Sequence, residues 1–313
     1  MCYSVSRQQQ DKWRKAAVFP QLHEILFHYL GRELKATIQP ALIKADDGTI
    51  TGYYPSASEE LVEDALRKIA AEQRQGYFDK PNYRSGVVFT LYLLRAELKK
   101  QGHTRSYQEI ILSLSILAGS GVEIRAGDGK KGEGFTKSPF FPSLSASSRT
   151  SLNDDPQAKW IVQFHPLVTH AIDDLTYRQF NYAQMMSHST QLARWLHKQL
   201  SLKFTFASIA TTFEMRYSTI RRDSALLDGY GRTAKAVETL DAAFAELKAG
   251  RVLMEIRIRK NLVVGLRGKI EDVVYTFTPS LDFVVQAKAA NKRVSANSEK
   301  TDIQNTPKLT KRR

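Results

Sequence analysis

Ser106-Tyr-Gln-Glu-Ile-Ile-Leu-Ser-Leu-Ser-Ile-Leu-Ala118, Gly121-Val-Glu-Ile-Arg125 and Gly127-Asp-Gly-Lys-Lys-Gly-Glu-Gly134 follow one another in the chain, and their order recurs further on. The second copy reads Arg232-Thr-Ala-Lys-Ala-Val-Glu-Thr-Leu-Asp-Ala-Ala-Phe-Ala-Glu-Leu-Lys248, then Arg251-Val-Leu-Met-Glu-Ile-Arg-Ile-Arg-Lys260, a glycine-containing turn, and Glu271-Asp-Val-Val-Tyr-Thr-Phe277. In each copy a helix-type apolar pattern runs into β-rich sequence that carries basic residues. A helix followed by a β-hairpin with a cationic tip is the order of a winged helix, which sets the helix in a major groove and lets the wing touch phosphates. Two such units predict an α+β chain of two winged-helix domains, joined by a long helix, that reads a long DNA site.

Local signals set the boundaries. Residues 1–20 are polar and basic without a clear period and are expected to form a flexible arm. Leu22, Ile25, Leu26, Tyr29 and Leu30 have helical spacing, so a helix is predicted over 21–34; others are predicted from Ser58 to about Gln73 and from Arg84 to Lys100. Together these helices would form the bundle under the first wing. Ser106 and Glu109 fit a capping box, in which the serine oxygen takes one orphan amide and the glutamate returns to the serine amide. Phe135 to Leu144 has the aromatics and prolines of an edge strand, Ser145 to Gln157 reads as a polar insertion, and Lys159-Trp-Ile-Val-Gln-Phe-His165 as a strand. Pro166 opens a short helix, where a missing amide costs nothing. Ser189 to Leu202 is the bridging helix, a short helix is expected around Phe206 to Phe213, and another helix or turn over Met215 to Asp223. The predicted layout is the arm to 20, a first winged-helix domain over 21–175, the bridge and second domain over 176–285, and a disordered basic tail over 286–313.

Among 313 residues, 46 Lys and Arg face 32 Asp and Glu, a formal charge of +14 with a sequence pI near 9.7. That balance suits a polyanionic partner, with double-stranded DNA first. The excess is uneven: Gln286 to Arg313 holds eight basic residues against Glu299 and Asp302, a net of +6. Cys2 is the single cysteine, which excludes an internal disulfide and a cysteine metal cluster. The polar start and the shortness of the apolar runs predict a cytoplasmic protein with no membrane partner.

The sequence does not meet the catalytic motifs of a DNA-processing enzyme. The seven histidines include no His-hydrophobic-His pair of the kind that holds the metal of a nicking enzyme. Gly132 is followed by Glu133 and Gly134, where a phosphate-binding loop needs Lys and Ser or Thr. Acidic residues are scattered rather than clustered as two-metal chemistry requires. No enzyme activity, catalytic residue, cofactor or metal is therefore expected. Arg232, Thr233 and Lys235 lie in the first turn of the second unit's last helix, where side chains of a reading helix reach base edges. Arg257, Arg259, Lys260, Arg267 and Lys269 cluster around one hairpin and Lys130 and Lys131 around the other, placing them for phosphates. Arg216, Arg221 and Arg222 are expected to be exposed nearby, and Tyr107 and Gln108 to read bases from the first unit. Lys and Arg also deter edge-strand aggregation, the plainer role for the hairpin cations. Trp160, Trp195, His165 and His170 are assigned to packing.

The stretch Trp160-Ile-Val-Gln-Phe-His-Pro-Leu-Val-Thr-His-Ala-Ile172, then Tyr182-Ala-Gln-Met-Met186 and Ser189-Thr-Gln-Leu-Ala-Arg-Trp-Leu-His-Lys-Gln-Leu200, resembles the middle of plasmid replication initiators of the Rep type. These place a strand, a Pro-Leu helix and a helix reading Ala-Arg-Trp-Leu between two winged helices. The likeness spans roughly residues 80–285; the N-terminal region, the 145–157 insertion and the tail fall outside it. It implies a protein that binds direct repeats called iterons at a plasmid origin, helps open the adjacent AT-rich duplex and recruits host helicase and initiator proteins, with no catalysis of its own. It also implies a homodimer that represses its own promoter. A two-domain transcriptional regulator would use the same units, and a tyrosine-dependent nicking enzyme would need a metal site besides.

Overall fold

The computed structural model describes residues 5–16, 19, 21–29, 32–45, 47–72, 76–79, 84–126, 134–148, 150–152, 155–173, 180–262 and 270–305. The first half opens with α1 (Arg7–Lys15), β1 (His23–Tyr29), β2 (Arg32–Gln39), β3 (Ala41–Lys44), β4 (Ile50–Tyr53) and α2 (Ala57–Ala71). It continues through β5 (Gly76–Asp79), β6 (Arg84–Thr90), α3 (Leu91–Lys100), α4 (Tyr107–Gly119), β7 (Gly121–Ala126), β8 (Gly134–Pro139), β9 (Ser143–Ser147), β10 (Lys159–Gln163) and α5 (Pro166–Asp173). After the short α6 (Tyr182–Met186) come α7 (Gln191–Lys203), β11 (Phe213–Arg216), α8 (Tyr217–Ser224), α9 (Thr233–Ala249), β12 (Leu253–Leu262), β13 (Ile270–Pro279) and α10 (Leu281–Asn305).

Sheet pairing reveals the repeat. In the second half β11, β13 and β12 form an antiparallel sheet in that order. In the first half β6, β10 and β9 are joined the same way, with β5 added outside β6. Helix, strand, helix, helix, strand, strand, helix therefore runs twice: α2-β6-α3-α4-β9-β10-α5 and α7-β11-α8-α9-β12-β13-α10. These are two winged-helix units, each with four helices around three shared antiparallel strands, to which the first unit adds β5.

The first unit's wing is therefore not the basic hairpin that the sequence suggested. The β7–β8 ribbon turns away to join β1 and β2 in a separate sheet ordered β1-β2-β7-β8. The strands that close the first core are β9 and β10, so the segment read as a polar insertion starts as β9 and leads through the topological wing. Across the core sheet Trp160 lies opposite Phe89 and Val162 opposite Val87, all buried on one face. Period-2 alternation puts the whole set inside at once, which fixes the register.

Capping and apolar spacing form the helices as read. Ser106 accepts from the Glu109 amide at 3.2 Å while Glu109 accepts from the Ser106 amide at 2.7 Å, and Ile110, Leu114 and Leu117 are fully buried beneath. Burying each such side chain is worth about 1.5–3 kcal/mol. A second capping box, Ser56 with Glu59, starts α2.

Five segments depart from expectation. Where a helix is predicted over 21–34, the described residues His23–Tyr29 are β1 and Arg32 opens β2, with Ile25 and Phe27 inward and Glu24, Leu26 and His28 outward. The first part of the helix predicted from Arg84 is β6, since Val87, Val88, Phe89 and Thr90 suit a pleated surface and the helix starts at Leu91 with Thr90 as its cap. The expected arm contains α1, anchored by buried Val5 and Trp13, the latter 5.0 Å from His23 and 5.2 Å from Tyr54 between ring centroids. Between Phe206 and Phe213 there is no helix; Ser208 and Thr211 close turns on one another before β11. The tail's first part is also helical: α10 continues through Gln286 to Asn305, with Ala287 and Ala290 buried.

Candidate nucleic-acid interface

Helix α9 is built of good helix formers, with no Gly or Pro before its end at Gly250. Ala236, Val237, Leu240, Ala243, Phe244 and Leu247 face the second core, leaving Ala234, Lys235, Glu238, Asp241, Ala242 and Ala245 outward. Its first turn differs from that of α4. Arg232 is the cap residue in extended conformation with no side-chain cap bond, and the turn contains no acid, so its positive end is not neutralised from within. Arg232 and Lys235 are exposed there and Thr233 is half-buried. Lys235 is held 3.0 Å from Glu238, one turn along the outward face. At α4 the Glu109 carboxylate occupies the corresponding end.

The hairpin cations divide between two faces. Along β12 and β13, Ile256 lies opposite Phe277, Ile258 opposite Tyr275 and Lys260 opposite Val273, on the side that packs toward α9. Lys260 is close enough to act favourably on the charge of Asp241, whose pKa is raised by partial burial. Arg259 and Arg216 flank Val274 in one row, and Arg257 and Glu214 flank Thr276 in the next, on the reverse side. Arg257 is 3.3 Å from Glu255. Of these strand cations, Lys260 therefore lies on the sheet face that carries α9, because residues two apart on a strand share a face. Arg267 and Lys269 lie outside the described residues. On α8, Arg221 pairs with Asp228 at 3.3 Å and Arg222 with Asp223 at 2.8 Å. Asp272 reaches from β13 to the start of α8, accepting from the Ser218 amide at 3.0 Å and its hydroxyl at 2.8 Å. The sequence reading missed that carboxylate, since nothing local marks a capping group fifty-four residues away.

In the first unit Gln108 is exposed in the first turn of α4, and Tyr107 is half-buried beneath the Arg95 guanidinium, 4.8 Å from the ring centroid. Arg95 also donates to the Arg105 carbonyl at 2.9 Å, which ties α3 to the turn before α4. Hairpin β3–β4 packs on the far end of α4, where a Cβ at Gly119 would stand 2.9 Å from the Ala41 Cβ. Lys130 and Lys131 lie outside the described residues. The strands that precede and follow them, β7 and β8, belong to the β1-β2-β7-β8 sheet and not to the first unit's core sheet. Among the described residues no three His, Cys, Asp or Glu are grouped to hold a metal ion, and no helix is long and apolar enough to cross a membrane.

Together these features define a mixed α/β protein of two winged-helix units with an exposed cationic helix start in the second. Among solved structures, the chain is similar to a selenomethionine derivative of domains 2 and 3 of RctB, at 10% identity and a TM-score of 0.53, over 82% of this chain and 91% of that one. Another structure of RctB domains 2–3 aligns at 11% identity and a TM-score of 0.48, over 86% and 94%. The Pi initiator protein, solved in complex with iteron DNA, aligns at 11% and 0.40, over 72% and 95%. No protein-family model and no curated protein matches the sequence. The shared feature is the fold, carried by the RctB alignment at 0.53.

Proposed function

We propose that the chain is a replication initiator that binds direct repeats at an origin through α9 and the hairpin beside it. The observation that carries this reading is the α9 start: Arg232 and Lys235 are exposed on an uncapped helix end, in the position from which a winged helix enters a major groove. The doubled unit supports a long site, and the charge of +14 supports a polyanion. The sequence resemblance to Rep-type initiators directs the reading to iterons rather than a single operator. Opening of the AT-rich duplex, recruitment of host helicase and initiator proteins, and a homodimer that represses its own promoter belong to the same proposal. So do action in the cytoplasm and the absence of catalysis. Inspection of the DNA beside the gene, followed by footprinting, tests it: protection of tandem direct repeats is expected. Protection of one inverted repeat would make the protein a transcriptional regulator, because operator symmetry mirrors dimer symmetry.

A further inference from the structure

The first helices of the two units, α2 and α7, meet through charge. On α2, Glu60 and Asp64 are one turn apart and buried; on α7, Arg194 and Lys198 are one turn apart and face them. Lys198 Nζ lies 2.9 Å from Glu60 Oε1 and 2.5 Å from Asp64 Oδ2, and only 20% of its side chain is exposed. Arg194, almost fully buried, donates through Nη1 to the carbonyls of His188 at 3.0 Å and Ser189 at 3.2 Å, and both carboxylates of α2 favour its charge. Two carboxylates and two cations are thus taken out of water together. Such a cluster adds little net stability, but it penalises every other arrangement, because a slide of one turn would strand a buried charge.

Two further ties act on the same junction. Helix α6 sends Met185 and Met186 into the first unit's core, while its Gln184 donates to the Gly250 carbonyl at 2.7 Å and accepts from Gln286 at 3.0 Å in the second unit. Ala225, ending α8 with a left-handed φ of 54°, is buried in the first core where α8 packs against β1. None of these polar contacts is made by a strand of either core sheet. What the contacts fix is the placement of α4 relative to α9.

We propose that the α2–α7 charge lock makes the two winged helices a single ruler, with Lys198 a positioning residue that fixes the separation of α4 and α9. The chain then selects duplex DNA by the spacing between two groove contacts as well as by their sequences. This rests on the DNA-binding reading above. The geometry points to it because α4 and α9 belong to different units, and the junction between those units buries charges that pair in this arrangement, with Lys198 on Glu60 and Asp64, although Glu60 Oε2 and Arg194 Nε have no hydrogen-bond partner there.

The test uses the full chain and selection from random duplexes of about 40 base pairs, long enough for two contacts a few helical turns apart. Wild type is expected to enrich two sequence blocks at one spacing. Inserting about half a helical turn between them should weaken binding at least about tenfold, since both contacts no longer engage together. Lys198→Met should enrich the same α9 block with its partner block at variable spacing, whereas Lys198→Arg should restore the single spacing. In parallel, spin labels at Gln108→Cys and Ala242→Cys in a Cys2→Ser background should give a narrow distance distribution that Lys198→Met broadens. If Lys198→Met does not melt cooperatively, Glu60→Gln takes its place in both measurements. An unchanged single spacing, or an unchanged distance distribution in a folded lock variant, overturns the proposal. A single enriched block with wild type overturns it while leaving DNA binding intact, and no enrichment at all overturns the initiator reading itself.

Discussion

Arg232 and Lys235 carry the functional assignment at the level of single side chains. If they read bases, Arg232→Ala and Lys235→Ala should each relax specificity at particular positions by about 1–3 kcal/mol, the range for a good bidentate base contact. Lys235 must leave Glu238 to do so, so Glu238→Gln should raise affinity across all sequences. Binding measured against a panel of single-base substitutions separates the two. Losses that are equal for every sequence would remove both residues from base readout. A second prediction concerns protons. Burial holds His165 down to about 4, and burial together with His188 and Lys198 holds His197 down to about 3. His188, His103 and His23 are lowered as well, each mainly by burial. The unfolded chain takes up these protons near pH 6.5, so it binds more protons than the folded chain below that value. Stability should be complete above about pH 6.5 and fall as pH drops toward the folded values, by about 1.4 kcal/mol for a residue such as His197 at pH 5.5. Urea midpoints at pH 7.5 and 5.5 check this, and His197→Gln, which keeps a polar partner for the His188 ring at 2.9 Å, should shrink the difference.

At the level of elements, α10 gives a prediction opposite to the one its composition invites. Truncation before Gln286 removes buried Ala287 and Ala290, the Gln286 bond to Gln184 and the 2.7 Å donation from Asn291 to the Thr205 carbonyl. It should cost about 2–4 kcal/mol, from two buried methyl groups and two hydrogen bonds. Truncation after Lys292 should leave the melting transition in place and lower only non-specific affinity and its salt slope. Equal stability of the two truncations would show that α10 adds nothing to the core past Val285. The contrast explains which elements were legible in the sequence. α4, α7, α9, β10 and the β12–β13 hairpin announce themselves through capping pairs, 3.6-residue spacing or strict alternation, all of which are local. β1 was misread because Leu22 and Leu26, exposed on the outer sheet face, fill out a helical spacing with Ile25 that the buried pair Ile25 and Phe27 does not share. The first wing was misassigned because the pairing of β9 with β10, rather than β7 with β8, to the core is decided by contacts far apart in sequence. The split of Arg257 and Arg259 from Lys260 follows from strand parity, which was readable. Which face packs on α9 was not.

For the whole molecule, the energetic question is how an initiator proposed to act without catalysis would open an origin. Its resources are a charge of +14, two winged helices tied into one body, and the apolar and polar contacts that hold them there. Binding must then supply the free energy. Each neutralised phosphate releases a counterion, and the sum of such contacts can repay the few kcal/mol needed to unstack or bend an AT-rich segment. A junction that could flex would absorb that strain within the protein; one held by buried charge pairs passes it to the DNA. Purified protein on a supercoiled origin plasmid should therefore expose unpaired thymines beside the repeats to permanganate without ATP and without cutting either strand. Reactivity should fall as salt rises, and should fall further in Lys198→Met at matched occupancy of the repeats. Tight occupancy with no reactive thymines, with or without host proteins, would leave the chain a DNA-binding regulator and end the case for an initiator.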